Sequence, residues 1–161
     1  MTNYKENGNN IELIQPDFDL DETLDCGQAF RWEKLESDYK CTYTGFFLDK
    51  PLTISHDGEK FIFHNTTKED FENIWIDYFD FEKDYCEIKT RLSSDETLKK
   101  ACEFAGGIRL LKQDSWECLC SFIISQNNNI PRIKTIISRL CEHYGHFPTA
   151  SEMAQETVES L

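Results

Sequence analysis

No apolar run in the chain approaches the roughly 18 residues that a membrane span requires. The opening Met1-Thr2-Asn3-Tyr4-Lys5-Glu6 has none of the apolar stretch of a secretory signal. No membrane partner is expected, and an intracellular location is, in the cytoplasm or nucleoid if the source is bacterial. The seven cysteines form no Cys-x-x-Cys pair, which reads as reduced, mostly buried thiols. Cys118 and Cys120 with His143 and His146 are a poor match to zinc spacing, so no metal is expected. Cys26-Gly27 lacks the second cysteine and the histidine context of a thiol hydrolase. Neither an internal repeat nor a low-complexity linker is present.

Positive charge is scarce. Lys and Arg number 17 against 30 Asp and Glu, a net of −13. Taken whole, this opposes nucleic-acid binding, which needs a positive surface. The charge is uneven, however. Residues 1–100 hold 12 basic against 23 acidic side chains, a net of −11. Residues 105–141 hold Arg109, Lys112, Arg132, Lys134 and Arg139 against Asp114 and Glu117, a net of +3.

What is present is a globular composition, 39% hydrophobic and 29% charged over 161 residues. A chain of that length buries about 70% of the surface its unfolded form exposes. The first 65 residues read as β. Residues 28–32 and 41–47 are rich in aromatic and β-branched side chains, and residues 52–55 and 61–64 flank His56-Asp57-Gly58-Glu59, a hairpin signal. Helices follow. Thr67-Lys68-Glu69-Asp70 resembles a capping box, with Phe71, Ile74, Trp75, Tyr78 and Phe79 as its apolar stripe. Ser93-Ser94-Asp95-Glu96 opens a helix that carries Leu98, Ala101, Cys102 and Ala105 and is stopped by Gly106-Gly107.

Asp114 caps the next helix, striped by Trp116, Leu119, Cys120 and Ile123. Gln126-Asn127-Asn128-Asn129 interrupts it. Ile130-Pro131 restarts a helix striped by Ile133, Ile136, Ile137, Leu140, Cys141 and Tyr144 and stopped by Gly145. Thr149-Ala150-Ser151-Glu152 opens a last helix expected to run to Leu161. The asparagines tolerate left-handed backbone, and their amides both donate and accept. With the helix start at Ile130 they would form a polar tip with outward N–H groups, suited to phosphate or to insertion into a duplex, although such clusters are also plain turns.

Arg109-Leu110-Leu111-Lys112-Gln113-Asp114 and Ser125-Gln126-Asn127-Asn128-Asn129-Ile130-Pro131-Arg132 resemble segments of the 8-oxoguanine DNA glycosylase family, of the helix-hairpin-helix superfamily. Leu24-Asp25-Cys26-Gly27-Gln28-Ala29-Phe30-Arg31-Trp32 resembles its Gly-Gln-x-Phe-Arg-Trp element. The resemblance implies an α+β fold. A twisted antiparallel, TATA-binding-protein-like sheet with packed helices would fill residues 1–112, and the first helices of an all-α helix-hairpin-helix domain would fill residues 113–161.

It also implies base-excision repair by a bifunctional glycosylase and β-lyase. Such an enzyme would act as a monomer without cofactor on double-stranded DNA, flipping out 8-oxoguanine opposite cytosine. The carbonyl of Gly27 would accept the N7–H that 8-oxoguanine has and guanine lacks. Asn127 would fill the vacated space and Arg132 would read the orphaned cytosine, with Asn128 and Asn129 as further DNA contacts. The family's catalytic lysine and aspartate follow a Gly-rich hairpin, yet no lysine follows Lys134, no aspartate follows Asp114, and no such hairpin is seen. The chain is therefore expected to be an N-terminal portion, inactive by itself. A different reading is a non-enzymatic acidic interaction module on the same scaffold.

Overall fold

The computed structural model describes residues 2–157. Six strands make one sheet: β1 (Tyr4–Asn7), β2 (Asn10–Leu13), β3 (Trp32–Leu35), β4 (Cys41–Phe47), β5 (Lys50–His56) and β6 (Phe61–His64). Their order is β1-β2-β6-β5-β4-β3, and every pairing is antiparallel. The Asp57-Gly58 hairpin forms as expected. The Asp57 carboxylate accepts from the N–H groups of Glu59 and Lys60, and His56 pairs with Phe61.

Pleat alternation divides the sheet into two faces. On one, Thr42, Ser55 and His64 join in a hydrogen-bonded row, with Thr42 and Ser55 directly paired across strands. On the other, Ile11, Leu13, Tyr43, Leu52, Ile54, Phe61 and Phe63 are buried in the core.

Helices cover the core. Between β2 and β3 runs α1 (Leu20–Leu24). After β6, α2 (Lys68–Asp70), a π-helical stretch (Phe71–Trp75) and α3 (Ile76–Tyr78) form one continuous segment capped by Thr67, whose hydroxyl accepts from Asp70 N–H. Its stripe is buried as its spacing predicted: Phe71, Trp75, Tyr78 and Phe79 pack with Trp32, Phe18 and Phe63. Trp32 Nε1–H donates to Tyr78 Oη at 2.8 Å, so the largest core residue leaves no polar atom unpaired.

Next come α4 (Tyr85–Leu92), α5 (Glu96–Phe104), α6 (Ser115–Ser125), α7 (Ile130–Tyr144) and α8 (Ala150–Met153). Asp95, Asp114 and Thr149 cap α5, α6 and α8, and Gly145 ends α7 at φ +77°.

Four expectations change. Residues 28–31 are not strand; β3 begins only at Trp32, because Gln28 is drawn out of the pleat by bonds described below. The α5 stripe is not buried, and Phe104 is 90% exposed. Gly107 does not act as a helix stop: its backbone lies so close to α1 that an added Cβ would sit 2.5 Å from Asp19 Cβ. The last helix ends at Met153, and residues 158–161 lie outside the described residues.

Candidate functional site

The three segments that carried the resemblance meet. After α1 the chain turns through Gly27 at φ +87°, a left-handed conformation that glycine adopts without penalty. Gln28 follows. Its Nε2 donates to the carbonyls of Thr23 (2.9 Å) and Arg109 (2.8 Å), and its Oε1 accepts from Leu111 N–H (3.1 Å). Gln113 Nε2 donates to the Gln28 carbonyl. Thr23 adds a further stitch: its hydroxyl donates to the Gly107 carbonyl and accepts from Arg109 N–H.

Arg109 is 1% exposed and meets no carboxylate within ion-pair distance among the described residues. Its guanidinium donates to the carbonyls of Pro16, Asp17 and Asp80 and lies 4.4 Å from the Tyr85 ring centroid. Burial lowers its pKa, with partial compensation from Tyr85. The arginine is a structural rivet, and a local charge count gives no sign of that.

The second half of the site is the loop between α6 and α7. Asn127 adopts φ +54° and its exposed side chain makes no hydrogen bond among the described residues. Asn128 donates Nδ2–H to the Ile124 carbonyl at 3.0 Å, closing α6. Asn129 caps α7, its Oδ1 accepting from Arg132 N–H at 3.0 Å. The three asparagines thus have different tasks, which their identical side chains conceal.

The expected row of outward N–H groups at the α7 start is largely consumed. Pro131 has none, and Arg132 and Ile133 donate to Asn129. Ile130 keeps the free one among the described residues.

These parts are held in register by three contacts. Ile130 Cδ1 lies 3.7 Å from where a Cβ on Gly27 would stand, and nothing else is within 4 Å of that point. Lys134 Nζ donates to the Trp32 carbonyl at 2.9 Å and lies 3.7 Å from Asp25. Arg31 pairs with Glu117 at 2.9 Å. The Gly27 carbonyl accepts no hydrogen bond among the described residues. It is an acceptor without a donor among the described residues, in a turn that lies against Ile130 at the start of α7.

The basic stretch is thinner as a surface than as a sequence. Arg109 is buried, Lys134 is engaged, and Lys112 pairs with Asp77 and Asp80. Arg132 and Arg139 are exposed and without ion-pair partners among the described residues. The outer face of α6 is apolar and uncovered, with Leu119, Phe122 and Ile123 all at least half exposed.

A family model described as "8-oxoguanine DNA glycosylase, N-terminal domain" matches residues 10–119. The chain is 28% identical to the Arabidopsis thaliana "N-glycosylase/DNA lyase OGG1", over 94% of this chain and 45% of the relative. It is 32% identical to a Saccharomyces cerevisiae "N-glycosylase/DNA lyase", over 56% of this chain and 22% of the relative.

Among solved structures, MBOgg1 in complex with a low-affinity DNA ligand superposes with a TM-score of 0.91 at 40% identity, over 99% of this chain and 58% of that one. The apo form of the Clostridium acetobutylicum 8-oxoguanine glycosylase/lyase gives a TM-score of 0.85 at 36% identity, over 99% of this chain and 59% of that one. The chain thus spans less than two thirds of the length of each of these proteins.

Proposed function

Because the chain belongs to the family of 8-oxoguanine DNA glycosylase N-terminal domains, we propose that it is the N-terminal part of a glycosylase and lyase that excises 8-oxoguanine from duplex DNA opposite cytosine. Residues 1–112 supply the sheet and its helices. Residues 113–161 begin the helical domain, whose remaining helices pack on the uncovered face of α6, since an exposed apolar patch marks a contact surface.

The unpaired Gly27 carbonyl carries the reading. An extruded 8-oxoguanine offers an N7–H donor to it, whereas guanine would bring an acceptor against an acceptor. Leaving that buried pair unmade costs about 1–3 kcal/mol, or roughly tenfold to a hundredfold in discrimination. Only a residue without Cβ lets a base approach so closely at φ +87°. Asn127 enters the space the base leaves, and Arg132 offers its guanidinium donors to the O2 and N3 acceptors of the orphaned cytosine. Asn128 and Asn129 shape the loop, and their backbone lies close to the DNA.

Net charge of −13 does not oppose this, because most of it lies in residues 1–100 while Arg132 and Arg139 face outward from α7. Bond cleavage falls to residues that this chain does not contain. The test is single-turnover excision by the complete protein from duplexes holding 8-oxoguanine or guanine opposite cytosine. Excision of the lesion alone is expected. An intact protein that neither binds nor cuts the lesion duplex at low salt would leave the acidic interaction module as the better reading.

A further inference from the structure

We infer that Gln28 is the positioning residue of the recognition carbonyl, an inference that rests on the role proposed for Gly27. Gly27 cannot hold its own carbonyl still. It has no side chain to pack, its backbone makes no hydrogen bond among the described residues, and glycine has the widest conformational freedom of any residue. The carbonyl belongs to the peptide that joins Gly27 to Gln28, so its direction is set by how Gln28 is fixed.

Gln28 is fixed at four points. Both amide donors are used, on the carbonyls of Thr23, 5 residues back, and Arg109, 81 residues on. The amide oxygen takes Leu111 N–H, and the backbone carbonyl takes Gln113 Nε2–H. The partners are themselves fixed in place, since Arg109 is riveted to three carbonyls of two other segments and Thr23 and Leu111 are buried.

Glutamine is required by the chemistry. Two donors and an acceptor must leave one planar group, and only an amide supplies both kinds. A carboxylate would accept from Leu111 but would set its negative oxygen against two carbonyls. A thioether of the same length would fill the space and hold nothing.

The experiment uses the complete glycosylase that carries this chain, with Gln28→Met and Gln28→Glu. Two rates are measured on each: excision of 8-oxoguanine opposite cytosine, and strand cleavage at a preformed abasic site. The second needs no base in the pocket and so no recognition carbonyl. Excision is expected to fall about a hundredfold, the scale of a displacement near 1 Å in an active site, while abasic-site cleavage falls far less. Melting temperature is followed in parallel.

Equal loss of both rates would overturn the positioning role and leave Gln28 as a general prop, and no loss of either would overturn it outright. A wild-type protein that cleaves abasic DNA but spares 8-oxoguanine would instead sink the reading of Gly27. Should Gln28→Met fail to fold, Gln113→Leu removes the single bond to the Gln28 carbonyl and is expected to show the same selective loss at smaller size; loss of neither rate there, with Gln28→Glu losing both equally, overturns the inference.

Discussion

Arg31 and Glu117 join the segment that follows the Gly27 turn to α6 through an ion pair of 2.9 Å whose side chains are only 10% and 15% exposed. Arg31 also lies 5.2 Å from the centre of the Phe46 ring. Burial pushes the Glu117 carboxyl up, and the charge of Arg31 pulls it back. Such a pair is worth little against an apolar replacement, yet removing one member strands the other charge. Glu117→Ala is expected to cost about 3–5 kcal/mol in urea unfolding. The double change Arg31→Met with Glu117→Met should cost less than either single change. Additive losses would show that the pair is not coupled.

The asparagines of the α6–α7 loop make different contacts, so their substitutions should separate stability from DNA binding. Asn129→Ala removes the α7 cap and should lower stability by about 1 kcal/mol. Asn127→Ala removes a free amide and forces alanine into the left-handed region, a conformation that costs it roughly 1 kcal/mol. Its larger effect is expected on lesion-duplex affinity, which Asn127→Gly, free of backbone strain, should share. Gel-shift titration beside thermal melting distinguishes the two. If Asn127→Gly bound the lesion duplex like wild type, the side chain would have no part in filling the helix.

Arg132 is exposed, lies in the first turn of α7 and has no ion-pair partner among the described residues, with its backbone fixed by the Asn129 cap. Arg132→Met keeps the length of the side chain and removes its donors. Excision opposite cytosine should fall toward the rates opposite the other three bases, with melting temperature unmoved. A uniform fall across all four opposite bases, reduced by added salt, would make Arg132 a phosphate contact instead.

Much of this was readable in the sequence, for a physical reason. Caps at Thr67, Asp95, Asp114 and Thr149 and the Asp57-Gly58 turn are local, so short windows contain their whole cause. The β1–β2 hairpin is not legible in the sequence, because Tyr4-Lys5-Glu6-Asn7 is mostly exposed and has no apolar alternation. The roles of Gln28 and Arg109 are hidden for the opposite reason: decisive partners lie far off in sequence, 81 residues between Gln28 and Arg109 and 92 between Arg109 and Asp17, and nothing in either residue type announces them. The fate of each lysine and arginine likewise depends on which carboxylate the fold brings near, so a net of +3 over 105–141 overstated the free positive surface.

His64 should govern part of the acid-side stability. Its Nε2 shares a 2.8 Å hydrogen bond with the fully buried Ser55 hydroxyl, and burial lowers its pKa. A histidine held below its unfolded value of about 6.5 contributes stability that is present above that pH and is lost as pH falls through the folded value. His56, stacked on Phe61 and also lowered chiefly by burial, acts in the same direction. Urea midpoints taken between pH 7.5 and 5 should fall more steeply for wild type than for His64→Gln. Parallel profiles would show that the imidazole titrates in the folded protein as it does in the unfolded chain.

The 161-residue chain alone should form no covalent adduct when mixed with 8-oxoguanine or abasic duplex in the presence of borohydride. Schiff-base formation needs an unprotonated amine facing the sugar. Lys134 is nearest to the Gly27 turn by its contacts, and its amine is spent on the Trp32 carbonyl beside Asp25. The Lys112 amine is held by Asp77 and then Asp80, which raise its pKa and keep it protonated at neutral pH. Lys89 is likewise occupied, by Asp17 and the Gly106 carbonyl. A trapped band on a denaturing gel that survives Lys134→Met would place a nucleophile elsewhere in these residues. A band abolished by that change would assign the chemistry to α7, and either result would mean that the chain needs no further segment for catalysis.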